Sequence, residues 1–424
     1  MKKYWLLLLV CIVYCKAHSQ RTEIHTPHIR TVQVIANNDY TAPAIICLGN
    51  DETVEVSFDR LTHDYHRYQY VLTHCNADWT PSDISETEYL DGFNDNPIEN
   101  ADISVNTTLP YTHYQFTLPN DQVKLKLSGN YRLTVYDEAE GKEKPAFTAC
   151  FRVMEKRVNV MAQVSSDTDI DRNKTHQQVS FNIQHKGYPI RNPQNEIKVH
   201  VLQNNRTDNE VTSLQPSYVG TDLLKYEHNR ALIFPAGNEY RRFEMVNTQY
   251  ASKGVESIRY HNPYYHVTLL PDEPRILNYS YDQDQNGRFV IRYDDATDNA
   301  TEADYFFVHF SLQWEKPLAE GDFYLQGAFT YDRFNEENRL KYNPEKHAYE
   351  CTLLLKQGAY NYQYLYVAPE KNSGSTSPAE GNYYETENEY LILVYHRAFG
   401  ERYDRLIGKW KMESGKWKMK SWKF

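Results

Sequence analysis

The sequence predicts an all-β protein built from three consecutive β-sandwiches of immunoglobulin-like size. Clear helical periodicity is missing over the whole chain. In its place come runs of four to eight residues rich in Val, Ile, Tyr, Phe and Thr, divided by Gly, Pro, Asn and Asp. The 424 residues also include 36 Tyr and 17 Phe, flat rings that pack well on a pleated surface with the hydroxyl at its edge.

The first 19 residues are expected to be a secretory signal. Lys2 and Lys3 precede an apolar run of about ten residues, and Ala17-His18-Ser19 offers small residues for cleavage before Gln20. That run is too short for the roughly 20 residues of a spanning helix. Losing Lys2, Lys3 and Lys16 takes the formal charge from −11 to about −14, which argues against nucleic acid as a partner. Four cysteines then remain, Cys47, Cys75, Cys150 and Cys351, with no CxxC spacing for a zinc or redox motif. Export permits a disulfide among Cys47, Cys75 and Cys150, but ordinary buried thiols beside apolar neighbours are the better reading.

The first sandwich is expected over 20–155. Runs at 31–35, 44–48, 54–58, 68–73, 114–118, 131–136 and 147–154 read as strands, with Gly49-Asn50-Asp51, Pro119-Asn120-Asp121 and Ser128-Gly129-Asn130 as turns. A polar excursion over 81–109 interrupts them, long enough to be functional or well packed in its own right. The second unit, 156–272, takes strands at 158–164, 178–184, 197–203, 240–247 and 264–270, and Pro271-Asp272-Glu273-Pro274 reads as a boundary. The third, 273–408, takes strands at 289–293, 305–312, 323–329 and 348–356. The Gly358-Ala359-Tyr360-Asn361-Tyr362-Gln363-Tyr364 run makes this unit resemble the early-set sandwiches of glycogen-binding subunits and branching enzymes. Residues 409–424 are expected to form a separate Lys/Trp-rich tail in which Gly-Lys-Trp-Lys-Met occurs twice, at Gly408 and Gly415; a frayed, solvated tail is the leading reading, and its alternation would also suit a membrane surface or an acidic groove.

The densest cluster of reactive residue types is His74-Cys75-Asn76-Ala77-Asp78-Trp79. A Cys nucleophile needs a base within reach, and neighbours on a strand point to opposite faces, so His74 and Cys75 form no pair. If Asn76 to Asp78 turn, Asp78 can accept backbone N–H groups and Trp79 can cover the strand end. Metal ligation needs three or four convergent donors, which this run cannot supply alone. His63 and His66 have helical spacing in a β context. Asp282-Gln283-Asp284-Gln285-Asn286-Gly287 resembles the start of a calcium loop, but Tyr293 stands where its bidentate Glu belongs, and a hairpin loop is the better reading. No catalytic, cofactor-binding or metal residues are assigned.

A long ordered series of motifs remains: Phe58-Asp59-Arg60-Leu61, the His74–Trp79 run, Glu88-Tyr89-Leu90-Asp91-Gly92-Phe93, Tyr111-Thr112-His113-Tyr114 and Ser128-Gly129-Asn130-Tyr131. Near the end come Gly381-Asn382-Tyr383-Tyr384, Val394-Tyr395-His396-Arg397 and Phe399-Gly400-Glu401-Arg402-Tyr403-Asp404. Together they resemble the plug proteins of the Bacteroidetes type IX secretion system, over about residues 30–408. That resemblance implies a periplasmic, outer-membrane-associated, non-enzymatic protein without cofactors. It would seal the large outer-membrane translocon β-barrel from its periplasmic side until substrate or a shuttle protein engages. The excursion and its base are then the expected partner-facing surface, with His74, Asn76, Asp78, Trp79, Tyr89 and Phe93 as candidate contacts. The rival expectation is a periplasmic glycan-binding protein using Tyr331 and Phe334 of the third unit; a third is a Cys75-dependent or metal-dependent hydrolase.

Overall fold

The structure, a computed structural model, describes residues 20–411. Short alternating runs do become strands, and seven sheets hold all of them among the described residues. In the N-terminal sandwich one sheet runs Glu23–Ile24, Pro145–Met154, Gly129–Asp137, Tyr68–Cys75 and Asn96–Pro97, with Ile45–Cys47 added parallel to Pro145–Met154. The facing sheet orders Ile29–Ala36, Val54–Arg60, Thr112–Leu118 and Asn100–Ile103. Alternation decides which residues enter: Tyr68, Tyr70 and Leu72 of one strand are buried while Gln69, Val71 and Thr73 are only half so. Phe58 lies stacked on Tyr114 at 5.0 Å with Tyr68 edge-on at 5.1 Å, so rings rather than aliphatic chains fill the centre.

The rest of the chain is interlaced rather than sequential. The sheet of Asn159–Ser165, His176–Gln184, Leu223–Tyr226, Tyr218–Val219 and Ile233–Pro235 belongs with a second sheet of Ile197–Gln203, Tyr390–His396 and Arg405–Lys411. The final strands therefore cross back into the middle unit, and the expected 273–408 unit gives up its end. The physical reason is visible in Tyr390–His396, whose seven residues are all buried. Such a strand must be covered on both faces. Tyr390, Ile392 and Val394 enter the middle core, while Leu391, Leu393 and Tyr395 join Ile45, Ala77 and Met154 of the N-terminal sandwich.

The expected boundary at 271–274 also moves. Arg241–Met245, Val255–His261 and Tyr264–Leu269 precede it, yet they build the same core as Phe289–Ile291, Tyr305–Gln313, Asp322–Gln326, Ala348–Lys356 and Gly358–Val367. Tyr264–Leu269 runs parallel to Tyr305–Gln313, so the prolines punctuate a crossover. Asp272 is fastened in that crossover, accepting from Tyr362 Oη at 2.8 Å, Tyr364 Oη at 2.7 Å and Arg241 at 2.7 Å. The tail expected from 409 begins later: Lys409, Trp410 and Lys411 complete the last strand, and Lys411 pairs with Glu389 at 3.1 Å. The signal segment and 412–424 lie outside the described residues.

Candidate functional site

The strand Tyr68–Cys75 ends in a tight turn whose backbone closes through Trp79 N to Asn76 O (2.9 Å) and Asn76 N to Thr80 O (2.8 Å). Asp78 accepts from Thr80 N at 3.1 Å and Thr80 Oγ1 at 2.6 Å, the short-range bonding that lets Asp stabilise a turn. Trp79 closes it with φ at 63°, an uncommon conformation for a bulky residue. Its ring is buried beneath the Arg152 guanidinium, 5.1 Å from the ring centroid.

His74 is 1% exposed and points away from Cys75. Its Nε2–H donates to Ser128 O at 3.0 Å, because a carbonyl can only accept, which leaves Nδ1 to accept from Ser82 Oγ at 2.8 Å. Burial pushes its pKa down to about 4, so the ring is neutral. Burial likewise pushes the Cys75 thiol up to about 11, the opposite of what a nucleophile needs. Gly129, with φ at 140°, lets the chain pass close to that ring: a Cβ there would sit 2.6 Å from His74 Nε2.

What the turn does is join two parts of the molecule. Asp404 is fully buried and accepts from Ala77 N, Lys198 Nζ and Arg397 Nε, each at 2.9 Å. Asn130 donates to Asn76 O at 2.8 Å and accepts from Tyr395 Oη at 2.8 Å. Arg397 also reaches Asn76 Oδ1. The hexapeptide is thus a hub where the N-terminal sandwich meets the last two strands. Asn130, Arg397 and Asp404 stood in the motif series, but a single sequence carries no sign that Ala77 meets a residue 327 positions away.

The excursion is largely ordered by the strands of its own sandwich. Glu86–Tyr89 is a short helix closed by Ser85 and Glu88, with Ser85 N donating to Glu88 Oε2 at 2.8 Å. Tyr89 is buried and donates to Leu72 O at 3.0 Å. Asn94 imitates a neighbouring strand, accepting from Leu72 N at 2.7 Å and donating to Leu72 O at 2.9 Å. Leu90–Gly92 pairs with Val123–Leu125, and Asn100–Ile103 with Thr112–Leu118. Of the six candidate contacts, His74, Trp79 and Tyr89 are internal and Asn76 is half-buried inside the hub, because each satisfies a neighbouring strand or segment. Asp78 is exposed, and Phe93 is 83% exposed at the tip.

A second joint ties the N-terminal sandwich to the third unit. Asp59 and Lys356 pair at 2.6 Å, both almost wholly buried. Tyr305 Oη donates to Asp59 at 2.7 Å, His113 lies at 2.7 Å, and Lys356 sits 4.1 Å over the Tyr111 ring. Burial pushes the Asp59 carboxyl up, but Lys356 and His113 outweigh it and hold the pKa below the ordinary value. Tyr331 serves the same seam, accepting from Val32 N at 2.9 Å, while Phe334 packs on Tyr324 at 5.3 Å; the two do not share one sugar platform. The loop expected to resemble a calcium site splits its carboxylates. Asp282 pairs with Lys253 at 3.1 Å and with Arg242, whereas Asp284 is turned to Asn286 N at 2.8 Å and to Tyr240 N. Among the described residues no group of three or more His, Cys, Asp or Glu is arranged to hold a metal.

With this geometry in view, residues 29–155 match the family model described as type 9 secretion system plug protein 1st domain. That span is the N-terminal sandwich with its hub and excursion. No curated protein matches the chain. The chain is similar to the crystal structure of a hypothetical protein from Parabacteroides merdae ATCC 43184, with 48% identity over 92% of this chain and 98% of that one, at a TM-score of 0.90. A second structure, the C-terminal domain of the Streptococcus agalactiae AgI/II polypeptide BspA, has 8% identity and a TM-score of 0.14 and carries no argument.

Proposed function

The chain belongs to the type 9 secretion system plug protein family, and from that premise we propose that it is a non-enzymatic periplasmic plug for the secretion translocon. A role connected with type 9 secretion and a place in the cell envelope follow from the family itself. The finer reading is that it binds the large outer-membrane translocon barrel and seals its periplasmic opening until substrate or a shuttle protein engages. The observation that carries this reading is the family match over 29–155, which coincides with the sandwich holding the hub and its raised tip.

The physical design supports it. A seal that must leave and return benefits from contact surfaces that are rigid beforehand, since less ordering is lost on binding. Here the hub and the Asp59–Lys356 seam fix the N-terminal sandwich against both other units, and the Asp91-Gly92-Phe93 tip stands clear of them. The neutral His74, the raised Cys75 thiol and their divergent partners suit a joint rather than a catalytic pair. No helix among the described residues is long and apolar enough to cross a membrane.

The test is affinity purification of the tagged protein from its native cell envelope. Co-purification of a large β-barrel protein supports the plug reading. Recovery of glycan alone, through the third unit, refutes it in favour of the glycan-binding alternative.

A further inference from the structure

A groove of about 360 Å³ runs between the first strands of the N-terminal sandwich and the third unit, away from the hub. Four consecutive residues, Leu353, Leu354, Leu355 and Lys356, line it. Side chains alternate between faces along a strand, so a groove lined by four in succession follows the strand's edge rather than either face. The pairing agrees. Ala348–Lys356 is bound to Tyr305–Gln313 along its whole length, but on its other side Lys341–Asn343 reaches only residues 348–350. Beyond Cys351, whose Sγ meets Glu337 O at 3.5 Å, no strand among the described residues covers that side.

Three further features make this edge more than a gap. Phe289, Phe329 and Tyr360 supply an aromatic floor, Phe289 stacked on Tyr360 at 5.3 Å and Phe329 edge-on to it at 5.3 Å. The rim carries two arginines, Arg30 and Arg333, against the single carboxylate Glu337: Arg30 donates to Ile29 O at 3.0 Å, lies 3.6 Å from Glu337, and has a buried Nε without a partner. Among the described residues no carboxylate pairs with Arg333. Both walls also hold strained backbone, Thr31 at φ 51° and Tyr331 at φ 55°. Thr31 is β-branched, for which such a conformation is a true outlier, and strain of this kind concentrates at ligand clamps.

We propose that the groove accepts an extended peptide, which adds as a strand to the open edge at residues 352–355. An unpaired strand edge supplies main-chain donors and acceptors, and the pocket beside it reads alternate side chains. The aromatic floor takes an apolar side chain, and Arg30 and Arg333 favour acidic residues on either side. The occupant is therefore a segment alternating apolar and acidic residues, carried by another protein. This inference does not depend on the plug reading.

The experiment measures fluorescence anisotropy of the full-length protein with a panel of labelled N-acetyl hexapeptides alternating Val or Phe with Asp or Glu. Hydrogen exchange at residues 352–355 is followed in parallel. The proposal expects saturable binding with slowed exchange at that edge. It expects binding weakened about tenfold by Arg333→Glu, a substitution outside any core, at unchanged melting temperature. It also expects loss of binding when alternate backbone nitrogens of the peptide are methylated, which removes donors and keeps side chains. No binding by any peptide, equal binding of the methylated peptide, or indifference to Arg333→Glu each overturns it. Binding of sodium dodecanoate in place of the peptides also overturns it and makes the groove an amphiphile site.

Discussion

Replacing Asp404 by Ala should loosen the joint between the N-terminal sandwich and the final strands, and the structure sets the size. Asp404 accepts three hydrogen bonds at 2.9 Å, from Ala77 N, Lys198 and Arg397. The two cations are 41% and 32% exposed, so each can turn to water and contributes at most about 1 kcal/mol. The Ala77 N–H is in a buried residue and has no such escape; leaving it unpaired costs about 1–3 kcal/mol. Together these give a loss of roughly 1–5 kcal/mol for Asp404→Ala. Asp404→Asn keeps an acceptor for Ala77 N and should lose only about half as much. Urea denaturation followed by far-UV circular dichroism measures both. If the Ala variant falls within about 0.5 kcal/mol of the parent, or if Asn costs as much as Ala, Asp404 is not holding the hub as described.

Other consequences follow from the same contacts. His74 has an ordinary pKa of 6.5 unfolded and about 4 folded, so between these values unfolding takes up a proton. The associated stability, about 3 kcal/mol, is complete above pH 6.5 and is lost as pH falls toward 4; His74→Gln should flatten that slope in pH-dependent urea titrations. Gly129→Ala should cost roughly 3 kcal/mol in the same assay, since a Cβ would strain a positive φ and meet the His74 ring, and an unchanged midpoint would refute that crowding. Phe93→Ala should leave melting unchanged yet lower barrel recovery in the envelope purification by about tenfold, as loss of an aromatic anchor does. Deleting 83–100 would be a poor substitute, because Tyr89 and Asn94 bind Leu72 and their loss disturbs the sheet itself.

Much of the fold was legible in the sequence, and the reasons are local. The run at 348–356 coincides with Ala348–Lys356, and 68–73 falls two residues short of Tyr68–Cys75, because alternation and β-branched or aromatic content report a half-buried strand directly. The closing strands were harder. Tyr390–His396 is apolar enough to be central, yet its partner Ile197–Gln203 lies nearly 200 residues earlier, and pairing at that distance is selected by covering both faces rather than by any local signal. The prolines at 271 and 274 misled for a related reason: they end a strand equally well at a domain edge and at a crossover.

The hub shows the same division. Opposite strand faces for His74 and Cys75, and a turn fixed by Asp78 and Trp79, were deducible from strand geometry and side-chain chemistry. Burial was not. His74, Trp79 and Tyr89 have polar atoms that suit a surface as well as an interior, and only their partners at Ser128, Arg152 and Leu72 decide the matter.

We propose that a rigid hub presents the tip at Phe93 to the translocon barrel. It is tested most directly by placing a photo-crosslinking amino acid at position 93 in the tagged protein within the native envelope. Position 218, where Tyr218 is also exposed but on the middle unit, serves as the control. A crosslink is expected from position 93 to a large outer-membrane β-barrel protein, and none from 218. A complex that purifies with the barrel yet crosslinks only from 218 would contradict it.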